Sequence, residues 1–360
     1  MSTATWRDRL EALLTQHWWQ PQTTWLAALL WPLSLIYRLL LLWPRPQSTA
    51  ALPVPVLVVG NHVVGGAGKT PTVIAIVQAL QSAGRRPGVI SRGHGRQEGR
   101  QSDAVRSVAA DDEAQAVGDE PLLIRRRCGV PVFVGRQRTA AARALCAAHP
   151  DVDVIVSDDG LQHRALPRQA ELRVFDERGV GNGHLLPAGP LREPLPQQLP
   201  PQARVLYTAG VASTALPGAL AQRRLQRAWP LAAWHRGDAA AAQPLAALQG
   251  RPLLAAAGLA APHKFFGMLR SAGLDISTLP LPDHHAYTTL PWPAATTEIV
   301  TTEKDAVKLR PERIGITTVW VLPLDLALPA GLVGELLTLL PRPIPRTSPA
   351  LPSADQDPTS

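Results

Sequence analysis

The sequence predicts an α/β fold: a mostly parallel sheet flanked by helices, followed by a second, smaller α/β domain and preceded by a membrane-associated helix. Three observations lead there. Short, β-branched apolar runs recur with helical segments between them, the pattern of strands buried on both faces. A glycine-dense loop, Gly60 to Lys69, separates the first such run from the first helix. Ahead of it stands Trp25 to Trp43, WLAALLWPLSLIYRLLLLW, with a single charge, Arg38, and one interior proline, Pro32.

That apolar stretch would extend about 28 Å as a helix, barely a bilayer core. Trp18, Trp19, Trp25, Trp31, Tyr37 and Trp43 supply interfacial aromatic anchors, and Arg38 and Arg45 supply cationic ones. Pro32 and Arg38 disfavour a straight span, so the segment is expected to lie in the interface; a span or a buried core helix are the alternatives. No small-residue cleavage site follows it, so it is expected to stay attached.

Val54 to Val59 reads as the first strand, and Thr70 to Leu80 returns apolar residues at helical spacing, with Pro71 tolerated in the first turn. A glycine loop at a helix N-terminus turns backbone N–H groups inward on a nest that accepts polyphosphate. Asn61, Gly65, Gly66, Ala67, Gly68, Lys69, Thr70 and Pro71 are therefore the candidate nucleotide-binding residues, with Lys69 reaching the β/γ-phosphates and Thr70 a bound Mg²⁺. The fold class is P-loop NTPase-like, although Val63 stands where G-x-x-x-x-G-K-[ST] has its first glycine. An ordinary glycine-rich turn is the bland alternative.

Further along, Pro87 to Ser91 reads as a strand ending in the cationic turn Arg92-Gly-His-Gly-Arg96. Gly118-Asp-Glu-Pro121 opens a helix, where Asp119 and Glu120 could equally be capping residues. Pro131 to Val134 is a strand, followed by Arg136 and Arg138 on an alanine-rich helix. Val152 to Asp159 places Asp158 and Asp159 just past a hydrophobic strand, where phosphate-loop enzymes hold Mg²⁺. Two adjacent buried carboxylates repel without a cation, so Thr70, Glu120, Asp158 and Asp159 are the candidate metal ligands. Leu172 to Phe175 and Val205 to Thr208 are strands on either side of a long loop, 179–194, of the length that carries function or disorder.

A composition shift over 211–250 marks a domain junction. Beyond it, Pro252 to Ala257, Ile276 to Leu281 and Thr317 to Leu322 read as strands, and Pro262 to Ala272 as a helix. The chain divides as 1–45, 46–225, 226–340 and a Pro/Ser-rich, disordered tail, 341–360.

With 360 residues there is room for two cores. An excess of 36 Lys+Arg over 28 Asp+Glu suggests anionic partners. No basic cluster is interleaved with aromatics, so nucleic acid is excluded as a partner. Cys128 and Cys146 lack disulfide or zinc spacing. Nothing in the sequence speaks to oligomeric state.

Taken together, VPVLVVGNHVVGGAGKTP, SRGHGR, GDEP, VFVGRQR, VIVSDDGLQH, GNGHLLPAGPLREP, DHHAY and TTEKDAVKL resemble the tetraacyldisaccharide 4′-kinase family, from Thr24 to Leu340. The resemblance implies ATP and Mg²⁺, and transfer of the γ-phosphoryl group to the 4′-hydroxyl of a tetraacyldisaccharide 1-phosphate, a lipid A precursor, at the cytoplasmic face of the bacterial inner membrane. It implies an atypical phosphate loop without the first glycine. It makes Asp119 the candidate base and His284 its partner, while Lys69 and the loop amides are expected to hold ATP, and Arg136, Arg138 and Arg192 are cations available for the phosphates of donor or acceptor. His62 stands where the family commonly has a hydrophobic residue or Thr, and His94 where it often has Tyr. The rivals are a membrane-associated P-loop ATPase or GTPase, disfavoured because Val64 replaces the second lysine of deviant-lysine ATPases and no N-K-x-D occurs, and an idle nucleotide-binding scaffold.

Overall fold

The computed structural model describes residues 6–43, 51–66, 68–93, 96 and 104–342. The expectations for Arg45, Ala67, His94 and the tail from 343 lie outside the described residues.

Helices α1 (Trp6–Trp18) and α2 (Trp25–Leu42) come first. The Thr24 hydroxyl caps α2 by accepting from the Ala27 amide at 3.3 Å, and α2 runs through Pro32 without a break. Ala27, Ser34 and Leu41 are its buried residues, one narrow stripe at seven-residue spacing. Trp25, Leu29, Ile36, Leu39 and Leu42 are exposed. A core helix would not leave that surface in water, so the core-helix alternative fails.

The first sheet comprises β1 (Val56–Gly60), β2 (Pro87–Ser91), β3 (Arg106–Ser107), β4 (Val132–Val134), β5 (Val154–Asp158), β6 (Ala170–Phe175), β7 (Ala203–Tyr207) and β8 (Ala219–Leu220), interspersed with α3 (Lys69–Ser82), α4 (Ala114–Val117), α5 (Asp119–Cys128) and α6 (Arg138–Ala148). Its order is β3-β4-β2-β5-β1-β6-β7-β8, parallel except at the β3 edge. Every residue of β1, β2 and β5 is buried. Alternation splits β1 between two cores, with Leu57 and Val59 packed beneath α3 and α5, and Val56 and Val58 beneath α6. Val59 lies opposite Asp158 on one side and Leu172 on the other. This register brings the start of the glycine loop beside the two carboxylates.

After β9 (Gln222–Arg224), a second sheet forms from β10 (Arg227–Pro230), β11 (Gln243–Pro244), β12 (Leu253–Ala257), β13 (Ile276–Pro280), β14 (Glu298–Thr302) and β15 (Thr318–Leu322), with α7 (Leu231–Arg236), α8 (Pro262–Ser271) and α9 (Glu303–Ala306). Its order is β11-β10-β15-β14-β12-β13, and β12 to β15 are mutually parallel. The chain then turns back: β16 (Asp325–Ala327) pairs antiparallel with β9, and α10 (Ala330–Leu339) follows. Leu332, Leu336 and Leu340, an i, i+4, i+8 stripe, join the core beneath α3, and Arg85 Nη1 donates to the Leu340 carbonyl at 2.8 Å. Residues 325–340, grouped by sequence with the second domain, therefore pack on the first.

The loop at 179–194 is the seat of the N-terminal helices. Trp18 Nε1 donates to the Pro187 carbonyl at 2.9 Å, Ser34 Oγ to that of Leu185 at 2.8 Å, and Tyr37 to that of Arg192 at 2.8 Å.

Candidate active site

Lys69 is the first residue of α3, and its ammonium folds back over the glycine loop. It donates to Asn61 Oδ1 at 3.0 Å and the Gly65 carbonyl at 3.5 Å, and lies 3.5 Å from Asp159 Oδ1. Gly68 sits in the left-handed region (φ 78°), where a Cβ would also meet Thr208 Oγ1 at 3.2 Å, so glycine is required there. Thr70 and Pro71 occupy the first turn of α3, both half-buried. Gly66 is held through its carbonyl by Arg178 Nη2 at 2.6 Å, and the Arg178 guanidinium stacks 4.1 Å over Trp19. Val63 forms an antiparallel bridge with Leu191, and the Val64 amide donates to the Pro190 carbonyl at 2.9 Å. Extended backbone of this kind suits a β-branched residue, which accounts for the missing first glycine.

The two carboxylates at the end of β5 sit in opposite surroundings. Asp159, with a positive φ of 48°, receives Arg192 Nη1 on both oxygens at 3.1 Å. Burial raises its carboxyl, but Lys69 and Arg192 outweigh that and hold it below the ordinary range. Asp158 is buried and pushed the other way, first by desolvation and then by the charges of Glu120 and Asp159. Its Oδ2 accepts from Ser91 Oγ at 3.0 Å, while its buried Oδ1 has no hydrogen-bond partner. Repulsion between the pair is thus met for Asp159 by protein cations, and Asp158 is left with an orphaned oxygen. Among the described residues no three His, Cys, Asp or Glu side chains converge on one point. Glu120, Asp158 and Asp159 therefore do not converge as one three-carboxylate site, and the orphaned Oδ1 of Asp158 is the observation that Mg²⁺, bound through one or two carboxylates with phosphate and water, would fit. Arg138 is buried with its Nη2 3.4 Å from the Asp158 carbonyl, whereas Arg136 is exposed.

The third cluster draws on α5, which packs on the first sheet, and on α9 and the loop after β13 of the second. Gly118 is the N-cap of α5 and Asp119 its first residue, so Asp119 is not the cap itself, although its charge suits the helix N-terminus. Its Oδ2 accepts from His284 Nδ1 at 3.0 Å and lies 3.2 Å from Lys308 Nζ. Lys304 Nζ donates to His284 Nε2 at 3.3 Å, which requires the tautomer with its proton on Nδ1. Burial raises the Asp119 carboxyl, but the His284 hydrogen bond and the Lys308 charge more than offset it, so the ionised form is favoured. Lys304 also lies 3.6 Å from Glu120.

A family model described as tetraacyldisaccharide-1-P 4′-kinase, LpxK, matches residues 26–341. The chain belongs to the tetraacyldisaccharide 4′-kinase family. A tetraacyldisaccharide 4′-kinase of Leptothrix cholodnii is 53% identical over 93% of this chain and 97% of its own length. One from Methylibium petroleiphilum is 53% identical over 89% and 90%. The crystal structure of LpxK from Aquifex aeolicus in complex with ATP superimposes with a TM-score of 0.70 at 25% identity, covering 88% of this chain and 99% of that one.

Within this tetraacyldisaccharide 4′-kinase fold, several site residues had no role assigned from sequence. Ser91, Arg178, Lys304 and Lys308 are scattered over the chain, and only tertiary contact gives them neighbours. Lys304 and Lys308 stand in the TTEKDAVKL segment, whose i, i+4 lysines are the one signal that could have singled them out. An open groove of about 740 Å³, lined by Glu177, Arg223, Gln226, Lys264 and Met268 among others, lies beside Asp176, which Arg178 and Lys264 both contact.

His62 has a measurable signature. Its ring is stacked on Phe175 at 5.8 Å, and Arg173 Nη1 donates to its Nε2 at 3.2 Å. Burial, then the Arg173 charge, lowers its pKa to about 4. The folded protein keeps it neutral while the unfolded chain protonates it below about 6.5, so its contribution is full above that value and is lost as pH falls toward 4. Between these limits wild type is expected to lose on the order of 3 kcal/mol more than His62→Thr in urea unfolding. Equal pH dependence of the two would remove this assignment.

Proposed function

We propose that this protein transfers the γ-phosphoryl group of ATP to the 4′-hydroxyl of a tetraacyldisaccharide 1-phosphate, a step of lipid A biosynthesis, at the cytoplasmic face of the bacterial inner membrane. The observation that carries the reading is the Asp119–His284 hydrogen bond, made across two domains. An idle nucleotide-binding scaffold has no use for a carboxylate–imidazole pair built from residues 165 positions apart, whereas a hydroxyl acceptor needs a group that can take its proton.

Lys69 and the amides of the glycine loop would hold the phosphates, and Arg192 would add positive charge beside them. Mg²⁺ would be held by Thr70 and Asp158, with Glu120 and Asp159 beside it. When bound, it neutralises charge on the transferring group. Asp119 accepts the proton of the 4′-hydroxyl as the new O–P bond forms and the bond to ADP breaks. A carboxylate kept ionised is a weak base, which suits a transfer in which the proton leaves late.

The exposed face of α2 would lie in the membrane interface. Ser34 and Tyr37, midway along it, are bonded to the loop at 185–192, which keeps one flank on protein. Deleting residues 1–43 is expected to move the protein to the soluble fraction and to raise KM for lipid more than for ATP. Pelleting of the truncated protein with membranes would place the anchor elsewhere. The overall reading is tested by incubation with ATP, Mg²⁺ and a panel of lipid disaccharides: mass spectrometry should find one added phosphate, at the 4′ position. ATP hydrolysis without phosphorylated lipid would refute it.

A further inference from the structure

Asp119 is approached from the second domain by a cation that the reaction outlined above does not use. The Lys308 side chain is only 5% exposed, and its Nζ lies 3.2 Å from Asp119 Oδ2 and 3.5 Å from Asp305 Oδ1. It also stands 5.5 Å over the ring of Tyr287. Asp305 is itself immobilised, because its fully buried carboxylate accepts from the Gly258 amide at 3.0 Å and the Thr302 hydroxyl at 2.7 Å through Oδ2. Lys308 Nζ and Asp305 Oδ1 are both buried without a hydrogen-bond partner, so the ammonium is held by charge between a fixed anion and the proposed base.

The loop beneath it is shaped for the same purpose. His284 and Tyr287 both adopt left-handed backbone, with φ of 58° and 53°, a conformation uncommon outside glycine and, for a side chain as bulky as Tyr287, an outlier. One twist presents the imidazole to Asp119 and the other sets an aromatic floor under Lys308. Strain of this kind persists where surrounding contacts over-determine it, and it concentrates at functional sites. A buried ion pair is in any case weak as a stabilising device, because desolvation offsets most of its attraction.

We propose that Lys308 is a positioning residue for phosphoryl transfer: held by Asp305, its ammonium joins His284 on Oδ2 of Asp119 and so turns Oδ1 toward the acceptor hydroxyl. The proposal rests on Asp119 being the base. Because a misplacement of about 1 Å at a reacting group can cost about 100-fold, Lys308→Met should lower kcat by that order. As a residue acting through Asp119 rather than on a substrate, Lys308 should leave KM for ATP and for lipid within about threefold.

The decisive experiment measures Lys308→Met in two backgrounds, wild type and Asp119→Asn, on protein shown to be folded by its melting curve. If Lys308 acts through Asp119, the second loss vanishes when the carboxylate is already gone. Should Lys308→Met not fold, Lys308→Met with Asp305→Asn removes both buried charges together and carries the same test. Unchanged kcat in the folded variant, or the same fold-loss in both backgrounds, would overturn the positioning role. An Asp119→Asn enzyme with full activity would overturn the base assignment and this role with it, whereas an inactive Asp119→Asn beside an active Lys308→Met would overturn the role of Lys308 alone.

Discussion

Lys69→Ala and Asp158→Asn are each expected to lose about 10²–10³-fold in kcat, the usual cost of removing one preorganised charge-stabilising group, while the protein stays folded. The ammonium of Lys69 already lies over the glycine loop, fixed by Asn61 and Gly65, so no reorganisation is needed when phosphate arrives. Its removal leaves Asp159 still paired with Arg192, and the fold should tolerate it. Asp158 is a clearer case, because its ionised form is disfavoured by burial and by Glu120 and Asp159. Asparagine keeps an oxygen for the Ser91 hydroxyl and removes that penalty. The apo melting temperature of Asp158→Asn should therefore be equal to or above wild type, with activity lost, the trade expected where a site is built at the expense of stability. Near-wild-type turnover in both variants would sink the assignment of the ATP site.

For the dyad, Asp119→Ala should reduce kcat by about 10²–10⁴-fold, the range for loss of a general base, and His284→Ala by less. The double variant should be no slower than Asp119→Ala, since groups acting as one unit are non-additive. The physical reason is the single hydrogen bond at 3.0 Å: once the carboxylate is gone, the Nδ1–H of the imidazole has no carboxylate left to orient or to share its proton with. Asp119→Ala also leaves Lys308 buried with Asp305 as its remaining carboxylate, so melting curves must accompany the kinetics. Strictly additive losses would contradict a dyad.

How much of this was open to a reader of the sequence depended on how local each signal was. The strands β1, β2, β4 and β5 and the helix α3 were legible because burial on both faces demands continuous apolar runs and because Gly, Lys and Pro mark the turn and the helix start. The short edge strands β3, β8, β9, β11 and β16, two or three residues each, were not, since pairing at an edge leaves almost no periodicity to read. The same limit hid the return of α10 to the first core. Its leucine stripe announces a buried face but not which domain covers it.

By itself, then, the sequence determined the α/β alternation, the glycine loop with Lys69 at the start of α3, the carboxylates at the end of β5, the apolar helix and, through family resemblance, the pairing of Asp119 with His284. Those signals reside in runs of adjacent residues, where backbone geometry acts directly. Only the tertiary structure decided which carboxylate keeps its charge. Asp158 and Asp159 are neighbours in the chain, yet Arg192 from a distant loop meets one, and burial beside Glu120 meets the other. It also decided that Lys304 and Lys308 surround the dyad, because desolvation and Coulomb interaction depend on distances that folding alone sets.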